Sequence, residues 1–146
     1  MYDFTLKGCL NSDVSTVYQA FYNPDVLCRW FAPGNLVVSQ LWLNFVEGGQ
    51  YRAVLEGPDG FQQTIVGTYQ QISNNQKISF TWRWDDTNDI TKVEVEFAQL
   101  PNTTTHIKLT QSGFAKEQDM INQQYGWLAC LEKLSLATRT TQQAAA

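Results

Sequence analysis

At 146 residues, with 43% hydrophobic and 13% aromatic side chains, the chain suits one domain with one core, burying roughly 70% of its unfolded surface. Ten scattered basic residues against fourteen acidic ones leave a net charge of −4, which excludes a nucleic acid held by its phosphate backbone. No basic start leads into an apolar run and no apolar run is long enough for a membrane span, so a soluble cytoplasmic protein is expected.

Residues 2–10 alternate Phe4 and Leu6 with polar neighbours, the pattern of a half-buried strand. Asn11-Ser12-Asp13 offer capping oxygens to a short helix carrying Val14, Val17, Tyr18 and Phe21. It should stop near Asn23-Pro24, because a residue before proline is pushed out of the helical region. Pro24 suits the first turn of a second short helix reaching Trp30, which Phe31-Ala32-Pro33-Gly34 closes.

From Leu36 the apolar period changes to two. Strands over 36–42 and 51–55 flank Gly48-Gly49, a turn or bulge signal, and Gly57-Pro58-Asp59-Gly60 marks a hairpin. The next strand covers 62–72, and Ser73-Asn74-Asn75-Gln76 turns the chain into the clearest one, 77–84. There Ile78, Phe80, Trp82 and Trp84 share one face, while Lys77, Ser79, Thr81 and Arg83 share the other. After a polar loop from Asp85 to Asp89, Val93, Val95 and Phe97 alternate with charged residues. The last strand sets Thr105, Ile107 and Leu109 against His106, Lys108 and Thr110.

The spacing then predicts a helix from Lys116 to Thr138, with Met120, Ile121, Trp127, Leu128, Leu131 and Leu134 on one face. About six antiparallel strands with one apolar face and one long amphipathic helix have a simple solution, a sheet curled around the helix. An α+β domain over 1–138 is expected, with 139–146 a disordered tail.

Candidate chemistry is sparse. Cys9, Cys28 and Cys130 are an odd set without metal-ligand spacing and read as packing thiols in a reducing compartment. His106, the single histidine, shares the outward parity of Lys108. The Asp85–Asp89 run lacks the glycine and distant glutamate of a calcium loop, and Gly48-Gly49 precedes no helix or P-loop lysine. No metal, cofactor or complete catalytic constellation is expected. Arg83 should lie outside and pair with a carboxylate across strands.

The inward aromatic set of Trp30, Tyr51, Phe80, Trp82, Trp84 and Trp127 reads either as ordinary core or as the wall of a cavity. Gln124 falls within the apolar stripe of the long helix, where an unpartnered amide would be costly, so it should meet a side chain, a water or a ligand. Were the chain catalytic, Tyr51 and Tyr69 would be the nominees for acid or base.

The order of elements resembles the helix-grip plan of the START-like, or birch-pollen-allergen-like, superfamily. Six local strings carry the likeness further: Trp30-Phe31-Ala32-Pro33-Gly34, Gly48-Gly49-Gln50-Tyr51-Arg52, Gly57-Pro58-Asp59-Gly60, Ile65-Val66-Gly67-Thr68-Tyr69, Thr81-Trp82-Arg83-Trp84 and Gly126-Trp127. Together they resemble the family named for the activator of heat-shock-protein-90 ATPase. The co-chaperone of that name carries a separate N-terminal domain for chaperone contact, whereas this chain opens on the helix-grip strand.

The resemblance therefore implies, ahead of chaperone regulation, a cavity for an apolar or aromatic small molecule. It would be lined by Trp30, Tyr51, Tyr69, Phe80, Trp82, Gln124 and Trp127. A protein-interaction module, as a chaperone regulator or homodimer, is the second expectation. A small-molecule cyclase, hydrolase or dehydratase is the third.

Overall fold

The computed structural model describes residues 1–139, so the expected tail, apart from Arg139, lies outside the described residues. Strand β1 (Tyr2–Leu10) leads into helices α1 (Val14–Gln19) and α2 (Pro24–Trp30). Strands β2 (Val37–Leu43), β3 (Gln50–Glu56), β4 (Gln62–Ser73), β5 (Lys77–Trp84), β6 (Thr91–Leu100) and β7 (Thr104–Phe114) follow, and α3 (Glu117–Thr138) ends the described chain.

The caps form where the short polar residues stand. The Asp13 carboxylate accepts the Thr16 N–H at 2.8 Å, and hydrogen bonding to Thr16, through its side chain first and its backbone N–H second, holds the Asp13 carboxyl below the usual carboxylate range. Asn23 does the same for α2, accepting the Asp25 N–H at 3.0 Å, with Pro24 in the first turn.

The strands form one antiparallel sheet in the order β1-β7-β6-β5-β4-β3-β2. β2 to β7 is thus an unbroken meander, β1 closes against β7, and α1 and α2 carry the chain from one sheet edge to the other. This is the expected α+β helix-grip architecture. The inner face carries Ile78, Phe80 and Trp82 of β5, Val93, Val95 and Phe97 of β6, and Thr105, Ile107 and Leu109 of β7, all buried.

Helix α3 packs on α2, β1 and β7 through Trp127, Cys130, Leu134 and Thr138, spaced at one helical face. Leu128, expected in that stripe, is instead 46% exposed, because the stripe is turned toward Cys130. Polar ties fix the helix lengthwise. The Lys133 ammonium donates to the carbonyls of Ala32 and Leu36, and Ser12 Oγ donates to the Thr138 carbonyl. Thr105 Oγ1 in turn donates to the Ser12 carbonyl at 2.8 Å.

Two expectations need correction. Cys9 and Cys28 are exposed rather than packed, Cys9 lying on the outer side of edge strand β1. Arg83 faces outward but, among the described residues, meets no carboxylate across strands. Its Nη1 donates to the carbonyls of Trp84, Asp85 and Thr87 at 3.3, 3.3 and 2.9 Å, which folds the following loop back on the strand. Among the described residues, no helix is long and apolar enough to cross a membrane.

Candidate functional site

The aromatic face of the sheet is used differently at its two ends. At one end Tyr51, Tyr69 and Phe80 pack on one another, with ring centroids 5.5, 5.6 and 6.2 Å apart. With Phe21, Leu27 and Ile78 they leave a void of only about 20 Å³, smaller than a ligand pocket. The Tyr51 hydroxyl donates to the Thr81 carbonyl at 2.7 Å, and Thr68 N–H donates to Thr81 Oγ1 at 2.9 Å. These bonds stand where the β4–β5 ladder is interrupted, between the Val66–Arg83 and Tyr69–Phe80 pairs.

Burial pushes the Tyr51 phenol well above its ordinary value, with the neighbouring Tyr69 adding to the effect, and burial raises Tyr69 as well. Neither ionises near neutral pH.

At the other end the sheet and α3 separate around a hollow of about 720 Å³. Its floor is Leu55, Ile65, Trp82 and Trp84, contributed by the neighbouring ends of β3, β4 and β5. Gly126, Trp127 and Cys130 of α3 form the roof, and Phe31 and Phe114 close the sides. Polar groups gather at the rim, among them Asn88, Asp89, Asp119 and Gln123.

A chain of hydrogen bonds stiffens the wall. The Trp127 indole N–H donates to Gln111 Oε1 at 2.8 Å, Gln111 Nε2 donates to Thr91 Oγ1 at 2.9 Å, and Thr91 Oγ1 donates to the Trp82 carbonyl at 2.9 Å. Gln111 is fully buried, so each bond replaces one that water would otherwise make. The Cys130 thiol, in the same wall, is pushed up to about 12 by burial, which the nearby Lys133 charge offsets only in part. It is a packing group at neutral pH.

The family model for the Activator of Hsp90 ATPase homolog 1-like protein matches residues 11–138. The chain belongs to this family. A protein from Chromobacterium violaceum superposes with a TM-score of 0.85 at 22% identity, over 96% of this chain and 99% of that one. An AHSA1 protein from Silicibacter pomeroyi gives 0.82 at 20% identity, over 92% and 96%. The solution structure of an AHSA1-like protein from Aeromonas hydrophila gives 0.80 at 20% identity, over 99% and 94%. At these identities the likeness is one of fold. No curated protein matches the chain.

In this member of the Hsp90-ATPase-activator-like family, the expected lining residues divide between the two ends. Trp82 and Trp127 line the hollow, joined by Trp84. Tyr51, Tyr69 and Phe80 lie in the packed end. Trp30 lines neither space: it is fully buried, its N–H donates to the Ala20 carbonyl at 2.9 Å, and its ring meets Phe21 and Phe31 edge-on.

Gln124 is half-buried and is not among the residues lining the hollow, whereas Gln123 is, because 123, 127, 130 and 134 form the inward row of α3. Gln111 and Thr91 were missed. The signal for Gln111 was present, since it continues the inward parity of Thr105, Ile107 and Leu109 as a polar residue.

Proposed function

We propose that this domain binds an apolar or aromatic small molecule in the hollow between the sheet and α3, as a carrier or sensor rather than a catalyst. The observation that carries the reading is a space of about 720 Å³ walled by three indoles. Its volume lies within the range of small-molecule pockets, which are mostly apolar with a few placed polar groups. The Trp127 N–H is already engaged by Gln111, so that ring presents carbon surface without an unpaired donor.

Titration of intrinsic tryptophan fluorescence against lipids, sterols and aromatic metabolites tests the reading. A saturable change is expected for at least one class, and Gly126→Leu, which projects a side chain into the roof, should abolish it. No saturable response from any class, with a crystal structure showing the space filled by side chains, would contradict it.

A second reading, pairing with another copy of the chain, is favoured by β2. This edge strand, Val-Val-Ser-Gln-Leu-Trp-Leu, carries no charge or proline to discourage strand addition, and Val37 and Trp42 are 58% and 59% exposed. Light scattering should then give a dimer mass that Trp42→Lys lowers to a monomer; a monomeric parent protein would remove this reading.

A further inference from the structure

The rim of the hollow has a charge bias that apolar binding does not require. Among the described residues two carboxylates, Asp89 and Asp119, line it, and no lysine, arginine or histidine does. Met1 also belongs to the lining and is 96% exposed, so it stands in solvent.

Nearby guanidinium groups are already engaged. Arg83 is bonded to three loop carbonyls, and Arg52 pairs with Asp85 at 3.7 Å. Among the described residues neither Asp89 nor Asp119 has an ion-pair partner. Asp119 also lies in the first turn of α3, where it complements the helix dipole. That dipole amounts to roughly half a positive charge, too little to neutralise two carboxylates.

Directly inside this negative rim stand electron-rich rings. Trp82 and Trp84 lie with centroids 4.7 Å apart at an interplanar angle of 73°, and Trp127 is held by Gln111. An indole face attracts a cation by about 0.5–2 kcal/mol and repels an anion. Walls and rim therefore favour the same sign of charge.

Resting on the ligand-binding reading above, we infer that the ligand is an organic cation, an amine or quaternary ammonium compound. Its apolar body lies among Trp82, Trp84 and Trp127, and its charged head meets Asp89 and Asp119 at the rim.

Isothermal titration calorimetry of the full chain with phenylbutylamine, phenylbutanol and phenylbutyrate tests this, because the three share an apolar body and differ in the charge of the head. The amine should bind about tenfold tighter than the alcohol, with the carboxylate weakest. Asp89→Asn combined with Asp119→Asn should bring the amine close to the alcohol and leave the alcohol unchanged. Binding of the alcohol or the carboxylate as tightly as the amine would overturn the charge preference while leaving the apolar-binding reading intact. No saturable heat from any of the three would overturn both.

Discussion

Gly67 and Tyr51 occupy adjoining space so closely that neither position admits a larger neighbour. A Cβ on Gly67 would collide with the Thr81 carbonyl and come within 2.6 Å of the Tyr51 hydroxyl. Since backbone cannot swing aside as a side chain can, Gly67→Ala should cost about 1–3 kcal/mol, read as a lowered urea midpoint. An unchanged midpoint would show that the strand yields. Gln111→Leu leaves the Trp127 N–H buried without an acceptor and should cost about 1–3 kcal/mol by the same measurement. Equal stability would mean that water enters to replace the amide. Parity showed Tyr51 as inward in the sequence, but its partner Thr81 is 30 positions away, and no local pattern encodes such a meeting.

At the scale of elements, the strand over 77–84 was legible in full because its aromatic alternation is strict, and β5 spans those same residues. The two capped helices were equally legible from Asp13, Asn23 and Pro24. What a period of two cannot show is position along a strand. Phe80 and Trp82 share a face, yet one lies in the packed end and the other in the hollow, because Phe21 and Leu27, from the segment that follows β1, cover only part of the sheet.

The stripe of α3 was misjudged by one position at Leu128 for a related reason. Cys130 and Thr138, weakly apolar on their own, are buried by their partners on neighbouring elements. Gly126 belongs to this helix and faces the hollow, where an added Cβ would meet only Pro33 Cγ at 4.0 Å. Gly126→Ala should therefore raise stability by about 0.5–1 kcal/mol through helix propensity, measured as a higher melting temperature. A loss of stability would reveal a contact tighter than this geometry.

For the whole molecule, pH acts through the groups the fold buries. In the folded protein the Cys130 thiol ionises only at about 12, against an ordinary 9.0 when the chain is unfolded. Tyr51 and Tyr69 are shifted upward in the same way, from 10.0. Above those ordinary values the unfolded chain sheds protons that the folded one retains, so unfolding is favoured as pH rises. Stability should be level through neutrality and fall as pH climbs from 9.0 toward 12, seen as a declining urea midpoint. A midpoint unaffected across that window would contradict the buried placement of these groups.

Entry of a small molecule between sheet and α3 is reported separately by the five tryptophans. Trp82, Trp84 and Trp127 line the hollow, Trp30 is sealed in the core, and Trp42 is exposed on the edge strand. Indole N–H resonances followed by NMR during titration with phenylbutylamine should move saturably for the first three and hold still for Trp30 and Trp42. Movement confined to Trp42, or none at any indole, would contradict a ligand site in the hollow.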